Sequence, residues 1–325
     1  MRLPSFVLVL AAVAALAPAA QAQVTPKSVV TTDQVRAELM AHAPEGVEPG
    51  KPVWLGLQIT HKPEWHTYWK NSGDSGLPTV LEWTLPAGVI AGDIDWPTPK
   101  KIPIGTLANY GYENTVLLPV PLTITPQFKP GLLSGELDVK LKAAWLVCKK
   151  ECIPEEGEFA LKLPVKSTTA INGAAFDAAF NARPRPLAAD TSVRPGSQVQ
   201  IDGNAIKLTV HNLPVSLRGK TLAVFPETPE VIETAATPTQ GWSGAVWTAS
   251  LPLSSQRSAS PSVMPFVFAA GSESYRGELK VLGTWPTVAA AATVSPALDA
   301  ALKANAAEAA TYSSSSSTPS LTLAA

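Results

Sequence analysis

Proline constrains the fold of this chain more than any other residue type. The 325 residues include 31 prolines, which is about twice the usual share of ~5%. Proline breaks helix interiors but is tolerated at strand ends, sheet edges and turns. The hydrophobic fraction of 46% is that of a globular protein. We therefore expect folded domains that are mostly β, with short strands joined by proline-rich turns.

Alternating apolar residues predict where these strands lie. Odd-numbered residues from Leu137 to Val147 are apolar, whereas the even-numbered residues from 136 to 142 are charged. This alternation indicates a strand with one buried face, and 53–59 and 158–165 show the same pattern. A further apolar strand over 116–124 contains Pro119 and Pro121, which predict a sheet edge. Short strands without helical periodicity favour an antiparallel β-sandwich.

The length and the composition predict two such domains. We place a first β-sandwich at 24–166, a connector with a short helix near 174–181 at 167–195, and a second β-sandwich at 196–286. Residues 287–325 form an alanine- and serine-rich tail in which 296–310 has a helix start signal. Five strands are expected in the second domain, at 205–211, 221–225, 243–250, 263–269 and 275–282.

The N-terminus predicts export. Residues 1–22 combine Arg2, a short apolar stretch and a small-residue cleavage site, as in a secretory signal peptide. Exported proteins meet an oxidising compartment, so two neighbouring cysteines are expected to form a disulfide. The serine-rich tail turns apolar at its end, which suggests a linker to a missing membrane domain, although an ordinary disordered tail fits the same composition. The formal net charge of −1 disfavours nucleic-acid binding.

Cys148 and Cys152 are the only cysteines, and three residues lie between them. Strand parity puts Cys148 on the polar face with Lys140 and Lys142, and Cys152 shares that parity. Both sulfurs are therefore expected near the surface. Opposed residues of an antiparallel hairpin have the Cα separation that a disulfide needs. A loop this short gains little entropic stabilisation from a cross-link.

Three interpretations of the pair are compatible with its spacing. A structural staple of a secreted hairpin is the simplest. A redox-active pair is the second, since Lys149 and Lys150 would favour a thiolate, although neighbouring glutamates oppose this effect. The third is a copper site built from the two thiolates and one of three histidines, namely His42, His61 and His66.

Aromatic residues are concentrated before the cysteine pair. Residues 61–77 are expected to form an aromatic and glycine-rich loop, and a second aromatic group follows at 110–112. Exposed aromatic side chains commonly anchor interfaces, and core packing is the alternative. The candidates for shielding the cysteines or docking a partner are Trp65, His66, Tyr68, Trp69, Tyr110 and Tyr112. A sugar-binding β-sandwich would use such aromatics together with Asn71 and Asp74.

Several separated motifs resemble those of one family, the periplasmic N-terminal (alpha) domain of the DsbD/ScsB thiol-disulfide interchange proteins. They are the string Trp65-His66-Thr67-Tyr68-Trp69, the turn Gly73-Asp74-Ser75-Gly76-Leu77-Pro78, then Trp96-Pro97, Asn109-Tyr110-Gly111-Tyr112, and Trp145-Leu146-Val147-Cys148 to Cys152-Ile153-Pro154-Glu155. Their order along the chain is the same as in the family. The second sandwich and the serine-rich end resemble the ScsB-type arrangement.

The resemblance implies an all-β chain of two immunoglobulin-like sandwiches in the periplasm, anchored to the inner membrane in full length. It implies that the pair takes electrons from a membrane domain and reduces oxidised, thioredoxin-like periplasmic proteins, in the setting of cytochrome c biogenesis or copper tolerance. Cys152 would form the mixed disulfide and Cys148 would resolve it, with no cofactor and no metal. The best-known members space the pair more widely. The alternative is a secreted binding module, for a ligand or copper, with a structural disulfide.

Overall fold

The computed structural model describes residues 27–130, 135–188 and 196–287. These residues form two compact units. The first contains 27–70, 76–100, 110–130 and 135–183, and the second contains 71–75, 101–109, 184–188 and 196–287. The predicted signal peptide, the tail from residue 288 with its expected helix, and part of the connector lie outside the described residues.

Eleven strands lie among the described residues between 27 and 164. They are β1 Val29–Thr31, β2 Val35–His42, β3 Val53–His61, β4 His66–Gly73, β5 Val80–Thr84, β6 Val89–Ala91, β7 Lys100–Ile104, β8 Leu107–Glu113, β9 Thr115–Ile124, β10 Glu136–Cys148 and β11 Cys152–Pro164. One sheet has the order β1-β2-β3-β9-β6. The other has the order β11-β10-β4-β8-β7, with β5 paired to β10.

The long hairpin of β10 and β11 confirms the clearest predicted strands. Every odd-numbered residue of β10 from Leu137 to Val147 is buried, and the lysines between them are exposed. β11 begins at Cys152 and not near 158, because its register with β10 continues unbroken to that residue. The apolar side chains of β3, such as Leu57 and Ile59, supply the core of the other sheet. The result is the sandwich-like arrangement expected from alternation.

The edge position expected for β9 is wrong, since β9 lies between β3 and β6. The two prolines are tolerated because β6 is short and pairs only with residues 122–124, so Pro119 and Pro121 lie outside the β6–β9 pairing. Beside Pro119 and Pro121 runs an irregular segment, in which Asp95 and Gly92 donate backbone hydrogen bonds to the two proline carbonyls. In an extended strand the nitrogen and carbonyl of a residue point to the same side, so neither proline removes a donor from the β3 ladder.

The short helix predicted in the connector is confirmed as α1 Gly173–Asn181. Its Phe176 is fully buried and packs with Leu117 of β9 and Ala179. Just past its end, Arg183 pairs with Asp95 and lies over the rings of Trp54 and Phe180. The helix therefore belongs to the first unit and covers an apolar part of its β3–β9 sheet.

The second unit is built on one eight-stranded sheet around one core. Its strands are β12 Arg185–Pro186, β13 Gln198–Asp202, β14 Ala205–Val210, β15 Ala223–Pro226, β16 Thr239–Ser243, β17 Val246–Pro252, β18 Val263–Ala270 and β19 Glu273–Leu282, with a 3-10 turn at Val215–Leu217. Residues from both halves of the sheet, such as Leu208 and Phe266, share that core, which makes the unit sandwich-like. The five strands expected from the sequence are all present.

Two features of this unit differ from a simple antiparallel sandwich. β13 and β12 run parallel to β19, whereas its other pairs are antiparallel. The sequence missed three strands, β12, β13 and β16, which are short and rich in polar residues or contain proline.

The segments 71–75 and 101–109, expected in the first domain, belong to this second unit. Asn71 Nδ2 donates to the Pro226 carbonyl at 2.8 Å.

Among the described residues, no helix combines the length and the apolar character that crossing a membrane requires.

Candidate functional site

The cysteine pair closes the end of the β10–β11 hairpin. Cys148 and Cys152 are directly opposite each other in the antiparallel register. Their Cα atoms are 4.2 Å apart, and the two sulfurs form a disulfide. The turn between them is held by the Lys149 amide, which donates to the Glu151 carbonyl at 3.1 Å. The disulfide expected from hairpin geometry is therefore present.

The two sulfurs differ in accessibility, which corrects the expectation that both lie near the surface. Cys152 is exposed, whereas Cys148 is only 3% exposed. Parity placed Cys148 on the face of Lys140 and Lys142, which is open to solvent along most of β10. At its last residue, however, β10 gains β4 as a neighbour, with Cys148 opposite His66.

His66, Cys148 and Cys152 form one row across three adjacent strands. Residues directly opposite in antiparallel strands project from the same face of a sheet, with Cβ atoms ~4.5–5.5 Å apart. The registers His66–Cys148 and Cys148–Cys152 therefore put the imidazole and both sulfurs on one face. Tyr68 follows two residues after His66 on the same face, and the two rings meet edge to face at 5.3 Å. We call these four residues the cysteine row.

Tyr68 is the side chain that touches the exposed cysteine. Its hydroxyl lies 3.6 Å from the Sγ of Cys152. Burial raises the pKa of Tyr68 to about 12, so the hydroxyl stays protonated at neutral pH and donates a hydrogen bond. Gly76 packs directly on the ring, because a Cβ at that position would lie 2.1 Å from Tyr68 Cε1. The loop after β4 therefore holds the phenol against Cys152.

Two buried histidines stand beside this row. Desolvation by burial lowers the pKa of His66, and its Nε2 is buried without a hydrogen-bond partner. His61 is bonded at both ring nitrogens, to the Asn114 carbonyl at 2.8 Å and the Thr67 hydroxyl at 2.9 Å. Because a carbonyl only accepts, Nδ1 of His61 carries a proton, and the lowered pKa of the ring keeps it neutral at pH 7. Burial lowers the pKa of His61 to about 4.

The charges around the turn are largely compensated. Lys149 Nζ lies 2.5 Å from Glu64, and this contact lowers the pKa of the Glu64 carboxyl. On β11, Glu155 accepts hydrogen bonds from the Trp145 indole at 2.9 Å and from the Thr32 hydroxyl at 3.0 Å. Lys149 and Glu155 thus have specific partners near the turn, and the hydroxyl of Tyr68 is a neutral donor that contacts a sulfur.

The predicted aromatic loop is instead a strand, β4, followed by a turn. Trp65 precedes β4 and is half-buried. The rings of Trp69 and Tyr110 are buried and meet edge to face at 6.3 Å, and the Tyr112 hydroxyl donates to the Pro97 carbonyl at 2.7 Å. These three side chains pack in the interior, so they offer no exposed docking surface. Of the six candidates, His66 and Tyr68 join the cysteines in the row.

The sequence-based reasoning missed one exposed residue close to the site. Leu77 is 66% exposed and directly follows Gly76, which packs on Tyr68. Leu77 therefore leaves an apolar side chain in solvent next to the turn that packs on Tyr68. In the sequence Leu77 belongs to the string Gly73 to Pro78, which resembles the family motif but assigns its side chain no role.

Of the three histidines considered for a copper site, the structure places only His66 in one row with the two sulfurs. The two sulfurs are bonded to each other, and His42 stacks on Phe176 beside the other sheet. His61 already has partners at both nitrogens. Across the described ranges, no three His, Cys, Asp or Glu side chains are grouped as a metal ion would need.

Removing the Tyr68 hydroxyl is expected to make reduced Cys152 less reactive. A hydrogen bond from Tyr68 stabilises the thiolate, which is the form that reacts. In a Cys148→Ser background, Tyr68→Phe should slow alkylation of Cys152 by iodoacetamide at pH 7 about fivefold, corresponding to ~1 kcal/mol for the lost bond. Tyr112→Phe is the matched control, because its hydroxyl bonds to Pro97 away from the pair. Equal rates in all three proteins would exclude this contact.

Residues 33–164 match the family model described as thiol:disulfide interchange protein DsbD, N-terminal. The fold is similar to the crystal structure of the N-terminal periplasmic domain of ScsB from Proteus mirabilis, with a TM-score of 0.56 and 15% sequence identity, over 78% of this chain and 97% of that chain. No curated protein matches the chain by sequence. Residues 33–164, which carry the cysteine row, therefore match the DsbD N-terminal domain family, and the fold is similar to that of the ScsB N-terminal periplasmic domain.

Proposed function

We propose that the first domain is a periplasmic thiol-disulfide exchange module whose working couple is Cys148 and Cys152. The observation that carries the proposal is the asymmetry of the disulfide, with one sulfur exposed and the other buried. Exchange needs one sulfur that a partner can reach and a second that attacks only afterwards. The match to the interchange family supports the same chemistry.

A purely structural role explains the disulfide less well. The bond joins two residues that the register of β10 and β11 already places opposite each other. It closes a loop with three intervening residues, and the entropic effect of a cross-link falls with loop length. The hairpin is also held by its continuous pairing from residue 136 to the turn. The disulfide therefore adds little to a fold that its strands already define.

Accessibility assigns the two cysteines different roles in the proposal. In the reduced domain, the Cys152 thiolate attacks a partner disulfide, a Cys152–partner bond forms, and the partner's other sulfur leaves as a thiolate. The Cys148 thiolate then attacks Cys152 Sγ, which releases the partner's second sulfur with its electron pair. The partner gains two electrons, and the domain returns to the disulfide seen here.

The partners follow from the same chemistry. The electrons would come from a membrane electron-transfer domain of a longer chain, and the acceptors would be oxidised, thioredoxin-like periplasmic proteins. The exposed Leu77 next to the Tyr68 contact offers an apolar anchor for such a protein. The periplasmic location is supported by the predicted signal peptide. Cytochrome c biogenesis and copper tolerance are the settings we propose for the pathway.

The binding-module alternative depended on exposed aromatic side chains. Tyr68, Trp69, Tyr110 and Tyr112 are all buried, so no observation in the described structure favours it over exchange.

Trapping experiments test the proposal. In the full chain, Cys148→Ser should accumulate mixed disulfides through Cys152, because the resolving thiol is missing, and mass spectrometry of non-reduced complexes would identify them. The matched Cys152→Ser variant should accumulate none, since its remaining thiol is buried. The couple should also equilibrate with glutathione. A reduction potential below about −300 mV would indicate a structural bond and overturn the proposal.

A further inference from the structure

The buried cysteine poses a problem of proton transfer that the exchange mechanism does not solve by itself. A thiol attacks a disulfide only after it loses its proton. Cys152 is exposed and can give its proton to water, but Cys148 is almost entirely buried. Desolvation disfavours a lone thiolate. The second half of the reaction therefore needs a base next to Cys148 within the protein.

His66 is placed to be that base. It lies directly opposite Cys148 in the strand register, on the same face of the sheet. Its Nε2 is buried and makes no hydrogen bond while the disulfide is closed. An unpaired buried polar atom is costly, and such atoms in native structures call for an explanation. A partner that forms during the reaction, namely the Cys148 thiol, provides one.

The other titratable groups in or near the cysteine row do not fit the role of this base. Tyr68 keeps its proton because burial raises its pKa to about 12, so it acts as a donor toward Cys152. His61 has both nitrogens occupied. Glu113 of β8 interacts with His66 only through its charge, and the Lys149–Glu64 pair lies at the turn. Burial keeps the pKa of His66 below the ordinary value, so the ring is a neutral acceptor at pH 7.

We infer that His66 is the general base of the resolving step, an inference that rests on the proposed exchange function. With a partner bound to Cys152, the Cys148 S–H proton passes to Nε2 of His66, which becomes an imidazolium. The Cys148 sulfur then forms the bond to Cys152 Sγ as the Cys152–partner bond breaks. The partner leaves as a thiolate and takes up a proton from His66 or from water, which regenerates the neutral ring.

The test separates attack from resolution in the full chain. The reduced protein is mixed with glutathione disulfide, and acid-quenched samples are analysed by mass spectrometry for the Cys152–glutathione adduct and for the closed disulfide. His66→Gln should form the adduct at the wild-type rate but close the disulfide about 100-fold more slowly at pH 7, the range typical of general base catalysis. His66→Asn is the second variant, in case one replacement perturbs the sheet.

A matched control uses a partly buried histidine of the same domain in place of the buried His66. His42 lies on β2 of the other sheet and stacks on Phe176, so His42→Gln should leave both rates unchanged. The pH profile distinguishes catalysis from packing. In the wild type the closing rate should fall as His66 is protonated at acid pH, and in His66→Gln this acid limb should be lost while the rate rises steadily with pH.

The outcomes separate this inference from the proposed function. If the adduct forms and closure is equally fast in both His66 variants with an unchanged pH profile, His66 is not the base and the exchange function stands. If the wild type forms neither the Cys152–glutathione adduct nor the closed disulfide, the exchange function itself is wrong. If closure slows in the variants with the wild-type pH profile retained, His66 has a structural role only and the inference is overturned.

Discussion

Gly111→Ala is expected to destabilise the first domain by about 3 kcal/mol or more, near the upper range for overpacking. Gly111 lies in β8, and a Cβ at this position would sit 2.1 Å from the Thr67 carbonyl oxygen and 3.3 Å from the Tyr68 Cα. Both atoms are backbone, so no side-chain rotation relieves the clash. β8 would have to move away from β4, which carries His66 and Tyr68 of the cysteine row.

Hydrogen exchange of individual peptides checks this prediction, because a chain of two units need not unfold in one transition. Peptides covering 66–73 and 107–113 should lose protection in Gly111→Ala. Gly241→Ala is the matched control, since Gly241 also lies in a strand and a Cβ added there would have nothing within 4 Å. Its effect should stay within about 0.5 kcal/mol. Unchanged protection of both peptides in Gly111→Ala would show that β4 and β8 are not packed as described.

Acidification is expected to remove about 3 kcal/mol of stability from the first domain between pH 7 and pH 4, through His61. Burial lowers the pKa of His61 from 6.5, its ordinary value in an unfolded chain, to about 4 in the folded domain. Between these values the unfolded state binds the proton and the folded state does not, so stability falls as pH falls. The full contribution is present above pH ~6.5. The buried His66, with its lowered pKa, acts in the same direction.

Urea unfolding at several pH values, followed by pulse-labelling of a peptide from β3, measures this slope. His61→Gln should lower stability at pH 7, because it breaks the contacts to Asn114 and Thr67, and should flatten the dependence between pH 4 and 6.5. His211→Gln replaces a histidine of the second unit and should leave the slope of the first unit unchanged. A slope retained in full by His61→Gln would assign the acid sensitivity to other groups.

Much of the fold could be predicted because apolar and polar residues alternate along a strand wherever one of its faces is buried and the other is exposed to solvent. β10 shows this along its length, with apolar residues from Leu137 to Val147 inside and lysines outside. The same logic failed at β4. Residues 66–69 are buried on both faces, so no polar side chain marks an outer face, and the aromatic run was interpreted as a loop. A strand covered on both sides carries no alternation to detect.

The candidate site, like the fold, could be predicted only in part from the sequence. Cys148, Cys152, His66 and Tyr68 were all singled out from the sequence, since spacing and local motifs are properties of nearby residues. Which of the six aromatic or histidine candidates would reach the sulfurs could not be predicted. That outcome depends on the pairing of His66 with Cys148, two residues far apart in the chain. It also depends on the turn at Gly76, which packs on the ring of Tyr68, the side chain that contacts Cys152.

By itself the sequence determined a proline-rich β chain, the long β10–β11 hairpin and the closeness of its two cysteines, because period-two burial and a short turn are local properties. Only the tertiary structure decided that one sulfur is buried and the other exposed. Strand parity says which way a side chain points but not which strand lies beside it, and at Cys148 the neighbouring strand is β4. The difference between the sulfurs, on which the proposed exchange depends, therefore arises from long-range strand pairing.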